Sequence, residues 1–291
     1  MTDENPASAP ASTGSTLGEA ILAYPPDCES SYMFYALSRK RISSGEYKFA
    51  HQHLQMHELI EGAREEKFDI CAVPVHLYPY VFLNYRPLSA GASVTTGGGP
   101  CVVARQKLSP ASLRGARIAV PGLLYTSYLC LKLFEYDFQA VPMETEKIIE
   151  AVQFGKVRAG VIPHTHLPAI GETKIRKVLD LGLWWKSKTG LPLPLRCLVI
   201  RRSLSEKVQI EITQLIKSSI IYALEHREES LDTAINHFPW PGDDKAINYL
   251  NQFVNDYSRN LGQPGQEAMR KMMELGWQAG IIPRALKLDF V

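Results

Sequence analysis

Apolar residues along this chain fall into short strand-like runs separated by segments with helical spacing, and the two kinds alternate. Glu19-Ala-Ile-Leu-Ala-Tyr24 reads as a strand ended by Pro25-Pro26. Tyr32-Met-Phe-Tyr-Ala-Leu37 carries apolar groups at helical spacing, and Ser30 or Ser31 can cap its start. A strand from Tyr47 to His51, a helix from about Met56 to Arg64 and a buried strand from Phe68 to Val73, stopped by Pro74, come next. This β-α-β-α-β order predicts a sheet with parallel strands covered by helices.

The pattern then repeats after Gly97-Gly98-Gly99. A strand from Pro100 to Arg105 precedes Leu113 to Val120, which ends at Pro121-Gly122. Helices are expected from Thr126 to Phe134 and from Glu146 to Gly155, and a strand, Ala159-Gly-Val-Ile162, ends at Pro163-His164. A further strand runs from Cys197 to Arg201, and the rest is helical, with amphipathic stretches at Ile210 to Ala223 and Gly265 to Gln278. The strands at 100–105 and 197–201 bracket the middle unit. The expected architecture is therefore an α/β protein of two lobes, each a mixed sheet flanked by helices. Residues 18–105 and 191–291 make lobe 1 and residues 106–190 make lobe 2.

A chain of 291 residues suits two lobes of ordinary size. Residues 1–17, rich in Ala, Ser, Pro and Thr, read as a disordered tail without the basic start and apolar stretch of an export signal. With 32 Lys plus Arg against 30 Asp plus Glu, the formal charge of +2 gives no field to draw the protein onto nucleic acid or an anionic membrane. The five cysteines are scattered, without a Cys-x-x-Cys pair, and read as buried free thiols in a reducing, cytoplasmic setting. The state expected in solution is a monomer or homodimer.

In open α/β sheets, ligands lie beyond the carboxyl ends of strands. That places Ala72-Val73-Pro74, Pro121 to Ser127 and Pro163-His164 at a cleft between the lobes. His164, directly after a buried strand, is the candidate proton carrier, since imidazole exchanges protons near neutral pH; His166 is a possible helper. Thr126 and Ser127, at a helix start, can form a cradle for a small carboxylate, or can merely cap the helix. Gly97-Gly98-Gly99 lacks nucleotide-loop spacing and reads as a flexible hinge entrance. His51, His53 and His57 do not make a zinc set, because a change of structure separates His57 from the other two and no cysteine is near. Trp184 and Trp185 can stack on a flat ligand or fill the joint between lobes.

Asp180-Leu-Gly-Leu-Trp-Trp-Lys-Ser-Lys-Thr-Gly-Leu-Pro-Leu-Pro194 resembles the 1,4-dihydroxy-6-naphthoate synthases of the futalosine route to menaquinone. Supporting matches are Gly98 to Arg105, Val120-Pro-Gly122 with Thr126, Ala159 to His164, Tyr222-Ala-Leu with His226, and Val254-Asn255 with Ser258, Leu261-Gly262 and Gly265. The resemblance implies a type-2 periplasmic-binding-protein-like fold without export. It also implies a cofactor-free lyase that splits cyclic dehypoxanthinylfutalosine into 1,4-dihydroxy-6-naphthoate and dihydroxyacetone. On that resemblance His164 falls on the family's proposed general base and Thr126-Ser127 on a substrate-binding pair.

The chain departs from the family where Pro25-Pro-Asp-Cys-Glu-Ser-Ser-Tyr32 replaces the usual Ser-Pro-Cys-Pro-Asn-Asp-Thr-Phe, so polar contacts there are rearranged. It departs again where Ala72-Val73-Pro74 replaces Lys-Leu-Ser, and where Thr165 replaces the Glu that usually follows the histidine, so any carboxylate assisting His164 must come from elsewhere. Leu124 and Tyr125 also stand in place of smaller or more polar residues. Two further readings are open at this point: a small-acid-binding paralogue without turnover, and a sister lyase resembling chorismate dehydratase. The Trp184 to Pro194 motif favours the naphthoate branch over the latter.

Overall fold

The computed structural model describes residues 19–170, 174–235 and 243–291, so the tail expected over residues 1–17 lies outside the described residues. The first part of the chain forms β1 (Ala20–Tyr24), α1 (Cys28–Met33), α2 (Tyr35–Ser38), β2 (Phe49–His53), α3 (Met56–Arg64), β3 (Ile70–Pro74), α4 (Tyr78–Val81), β4 (Tyr85–Pro87) and β5 (Ser93–Thr95). The middle part forms β6 (Cys101–Ala104), β7 (Arg117–Val120), α5 (Thr126–Phe134), β8 (Gln139–Pro142), α6 (Thr145–Gln153), β9 (Ala159–Ile162) and β10 (Arg176–Asp180). The chain returns through α7 (Leu181–Thr189) and β11 (Leu193–Arg201). It ends in α8 (Glu206–Glu225), α9 (Arg227–Ile235), α10 (Asp243–Phe253), α11 (Asp256–Arg259) and α12 (Gly262–Gln278).

These strands build two mixed sheets, one per lobe. The first has the order β2-β1-β3-β11-β4, with β5 also paired to β11; β1 is parallel to β2 and β3, and β11 is antiparallel to β3. The second has the order β10-β6-β9-β7-β8, with β7 parallel to both β8 and β9. Alternation along β7 shows how helices cover both faces: Ile118 and Val120 join the core that continues into the first lobe, while Ala119 faces Ile148 and Val152 of α6.

Local chemistry explains where the elements differ from their expected bounds. Helix α1 begins at Cys28, ahead of Ser30, because Asp27 accepts a hydrogen bond from the Ser30 N–H at 2.8 Å and caps it. Strand β11 starts at Leu193, four residues early, since Pro194 needs no ladder hydrogen bond where its register shifts. Residues 100–105, assigned from sequence to lobe 1, are corrected by the ladder: Cys101–Ala104 lies between β9 and β10 in the second sheet. All four of its residues are buried, which suits an interior strand of either sheet and leaves the choice to tertiary pairing.

The crossovers between lobes run side by side. Asp180 caps α7 by accepting from the N–H groups of Gly182 and Leu183, and the same carboxylate accepts from Gly99 N–H at 2.9 Å. The Gly98 carbonyl accepts from Thr95 Oγ1 at 3.0 Å and from Gln252 Nε2 at 2.6 Å. The glycine run is thus pinned to both lobes. Gly182 is required by this approach, because a Cβ there would lie 2.5 Å from Gly99 N and 2.7 Å from the Gly97 carbonyl oxygen. Trp185 is fully buried with its Nε1 donating to the Pro192 carbonyl at 2.9 Å, and Trp184 meets Phe134 of α5 edge-on, so the tryptophan pair fills the joint.

Gly182→Ala should therefore lower stability by about 1–3 kcal/mol, the usual cost of overpacking against atoms that cannot retreat. The measurement is the chemical-denaturation midpoint; an unchanged midpoint would contradict the packing described for this seam.

Candidate functional site

A cleft of about 1080 Å³ separates the lobes. Its wall includes Pro74 at the end of β3, Pro121 and Tyr125 to Ser127 after β7, and Pro163 to His166 after β9, so each strand end nominated from sequence reaches it. Ala72 and Val73 do not: both are buried in the first core, because β3 continues through Pro74 and only that residue emerges. Gln55, Met56 and His57 close one rim, and Met143 to Lys147 at the start of α6 close the opposite one.

Thr126 and Ser127 stand at the first turn of α5, where backbone N–H groups have no intrahelical partner and the helix dipole favours an anion. Their hydroxyls have different employment. Thr126 Oγ1 donates to the Leu195 carbonyl at 2.7 Å and accepts from His76 N–H at 3.4 Å, which ties α5 of lobe 2 to β11 and to the turn after β3 in lobe 1. Ser127 Oγ is buried at the cleft wall with no hydrogen-bond partner among the described residues. Behind them His76 lies buried against Tyr128, and burial pushes its pKa down to about 4, so the ring is neutral at ordinary pH.

His164 is almost buried at the end of β9, and its ring packs 4.8 Å from that of Phe253 on α10. Its Nε2 lies 3.0 Å from Glu29 Oε1, close to the carboxylate although the N–H is not aimed along the line between them. Glu29 has no solvent exposure and is held from every side. Ser93 Oγ donates to Oε2 and Tyr249 OH to Oε1, while Arg196 Nη2 donates to Oε2 at 3.1 Å. Arg196 also donates through Nη1 to Asp27 at 2.5 Å. The β11 ladder sets this up, since Arg196 sits opposite both Pro74 and Ser93. Burial alone would raise the pKa of Glu29, but His164 and Arg196 outweigh it and hold the carboxyl below the usual range.

His166 accompanies this pair at the rim, with Thr165 Oγ1 2.9 Å from its Nδ1 and Glu146 3.4 Å from its Nε2. Burial lowers its pKa against the opposing pull of Glu146. Of the three earlier histidines only His57 reaches the cleft. His51 Nδ1 meets Tyr24 OH at 2.8 Å, and His53 lies edge-on to the same ring. Among the described residues no group of three His, Cys, Asp or Glu side chains converges to hold a metal ion, and no helix is long and apolar enough to cross a membrane. All five cysteines are buried and unpaired.

Glu29, Asp27, Arg196 and Tyr249 were not singled out from the sequence. For the first two a signal was present: acidic residues in the first turn after a cleft-facing strand end, where the family motif carries neither at those places. Arg196 sits inside an apolar strand, and Tyr249 lies far along the chain on α10; only the tertiary structure brings them to the site.

The fold and the sequence have counterparts. A protein of Archaeoglobus fulgidus of known crystal structure superposes with a TM-score of 0.86 at 34% identity, covering 92% of this chain and all of that one. The periplasmic aliphatic sulphonate binding protein of Escherichia coli shares the fold at a TM-score of 0.67 and 13% identity, covering 94% of both chains. A 1,4-dihydroxy-6-naphthoate synthase of Thermus thermophilus is 32% identical over 251 residues, 86% of this chain and 91% of the relative. The enzyme of the same name from Streptomyces coelicolor is 28% identical over 272 residues, 90% of this chain and 94% of the relative. The family described as menaquinone biosynthesis matches residues 21–278, a span that takes in both lobes and every residue of the cleft wall. On that match the chain belongs to the menaquinone-biosynthesis family.

Proposed function

We propose that this protein is a carbon–carbon lyase of the 1,4-dihydroxy-6-naphthoate synthase type, acting on cyclic dehypoxanthinylfutalosine and releasing 1,4-dihydroxy-6-naphthoate and dihydroxyacetone. The observation that carries the reading is His164, placed at the cleft end of β9 with one ring nitrogen against an ionised carboxylate and the ring at the cleft wall. The substrate carboxylate is assigned to the start of α5, where the first N–H groups and Ser127 Oγ supply neutral donors. Arg196 is already committed to Asp27 and Glu29, so the anion is held by dipoles and not by that guanidinium.

Each bond change then has a place. His164 takes the proton of a substrate hydroxyl, the oxygen forms a carbonyl as the adjacent C–C bond breaks, and the released electron pair becomes the enolate of the ring. Return of the proton from His164 gives the aromatic diol, whose formation supplies much of the driving force. The donors at α5 hold the carboxylate throughout, and the closed lobes keep water from the reacting carbons. No step in this sequence calls for a metal or an organic cofactor.

His164→Asn keeps the ring's approximate size but cannot take up the proton, so turnover should fall on the order of 10²–10⁴-fold while affinity for the naphthoate product changes little. Naphthoate release and calorimetric product binding measure the two; equal turnover would sink the assignment. Wild-type binding without turnover would leave the small-acid-binding paralogue instead.

The two hydroxyls at α5 should separate cleanly. Ser127→Ala should weaken product binding by about 1–2 kcal/mol, the size of a hydrogen bond to a charged group, with little change in melting temperature. Thr126→Val should do the reverse, lowering the melting temperature because it severs the tie to Leu195. Identical behaviour of the two variants would contradict this division.

A further inference from the structure

Glu29 accepts from three groups and has a fourth close against it, and the chemistry of the four fixes the protonation of that fourth. Arg196 can only donate. The phenol of Tyr249, buried beside Glu29, stays protonated and donates to Oε1, and Ser93 donates to Oε2. The remaining neighbour is His164 Nε2, 3.0 Å from Oε1. A bare imidazole lone pair at that distance from a carboxylate oxygen would be repelled, so Nε2 carries the proton. In the neutral ring the lone pair is then on Nδ1, which has no hydrogen-bond partner among the described residues.

The two members come from opposite lobes. Glu29 lies in α1, directly after β1 of the first sheet, whereas His164 follows β9 of the second. Tyr249 and Phe253, four residues apart on α10, steady the pair from the lobe 1 side, one on the carboxylate and one on the imidazole. Opening the cleft would take the histidine away from its carboxylate.

We infer that Glu29 is a positioning residue for His164: it holds the proton on Nε2, presents Nδ1 as the atom that receives the substrate proton, and does so only when the lobes are closed. The inference rests on the reading of His164 as the base. Its logic matches the buried aspartate of a Ser-His-Asp triad, which sets the tautomer and orientation of a histidine and does not itself take the proton. The residue that follows the histidine, Thr165, is spent on His166 and supplies no carboxylate.

The test uses full-length protein labelled with ¹⁵N in its histidine rings, with His164→Asn to assign the signal, at a pH where the His164 ring is neutral. The wild type should show the Nε2–H tautomer, with Nδ1 in the pyridine-like range. Glu29→Gln, whose amide can donate as well as accept, should move both nitrogens toward intermediate values. Its kcat should fall on the order of 10²–10⁴-fold with KM for the cyclic substrate within about threefold of wild type. Because that variant also disturbs Arg196, Glu29→Asp provides the second arm: it keeps the charge but withdraws it from His164, and should show the same direction of change to a smaller extent. An Nδ1–H tautomer in the wild type, or undiminished kcat in both variants, would overturn the inference. A wild type with the Nε2–H tautomer and no turnover would instead overturn the lyase reading and leave the pairing intact.

Discussion

A carboxylate removed from water costs several kcal/mol unless donors and opposite charge replace the solvent, and Glu29 has no solvent at all. Its replacement shell is assembled from four distant parts of the chain: Ser93 on β5, His164 after β9, Arg196 on β11 and Tyr249 on α10. Two carboxylates, Asp27 and Glu29, share one guanidinium, and the imidazole of His164 stands against Glu29 from the other lobe. Loss of a single partner in a buried pair of this kind costs about 3–5 kcal/mol. The same interaction therefore brings β5, β11 and α10 together around α1 and sets a histidine at the edge of the cleft.

The lobes are joined by neutral contacts as well, and these differ in what they permit. Asp180 and the Gly97–Gly99 run stitch the two crossovers at backbone distance, with Gly182 admitting the approach. Thr126 joins α5 to β11 through its hydroxyl, close to the proposed anion site. Neither contact involves a titratable imidazole, whereas the Glu29 to His164 contact does. The pair thus joins the contact between the lobes to the group proposed to carry the proton.

Much of this was legible in the amino-acid pattern. The alternation of strands and helices, the helices at 56–64 and 126–134 and the strand at 159–162 follow from apolar spacing and from prolines at strand ends, which are local signals. The cleft position of His164 and Ser127 follows from the rule that ligands lie beyond strand carboxyl ends. What the pattern hides is pairing between distant segments. Cys101–Ala104 is buried on both faces and could serve either sheet. Thr126 looks like a free hydroxyl until Leu195 is placed beside it, and Arg196 looks anomalous in an apolar strand until Asp27 and Glu29 meet it. The departure of Pro25 to Tyr32 from the family motif was visible as a change of polar residues, but its meaning depends on the partners that the fold supplies.

The proposed reaction breaks a carbon–carbon bond by proton transfer alone. The direct measurement is product identity and stoichiometry for the wild-type protein supplied with cyclic dehypoxanthinylfutalosine, after dialysis against chelator and with no added cofactor, by mass spectrometry of the quenched reaction. The expected result is 1,4-dihydroxy-6-naphthoate and dihydroxyacetone in equal amounts. Unchanged substrate, or turnover that returns only when a metal or redox cofactor is added, would contradict it.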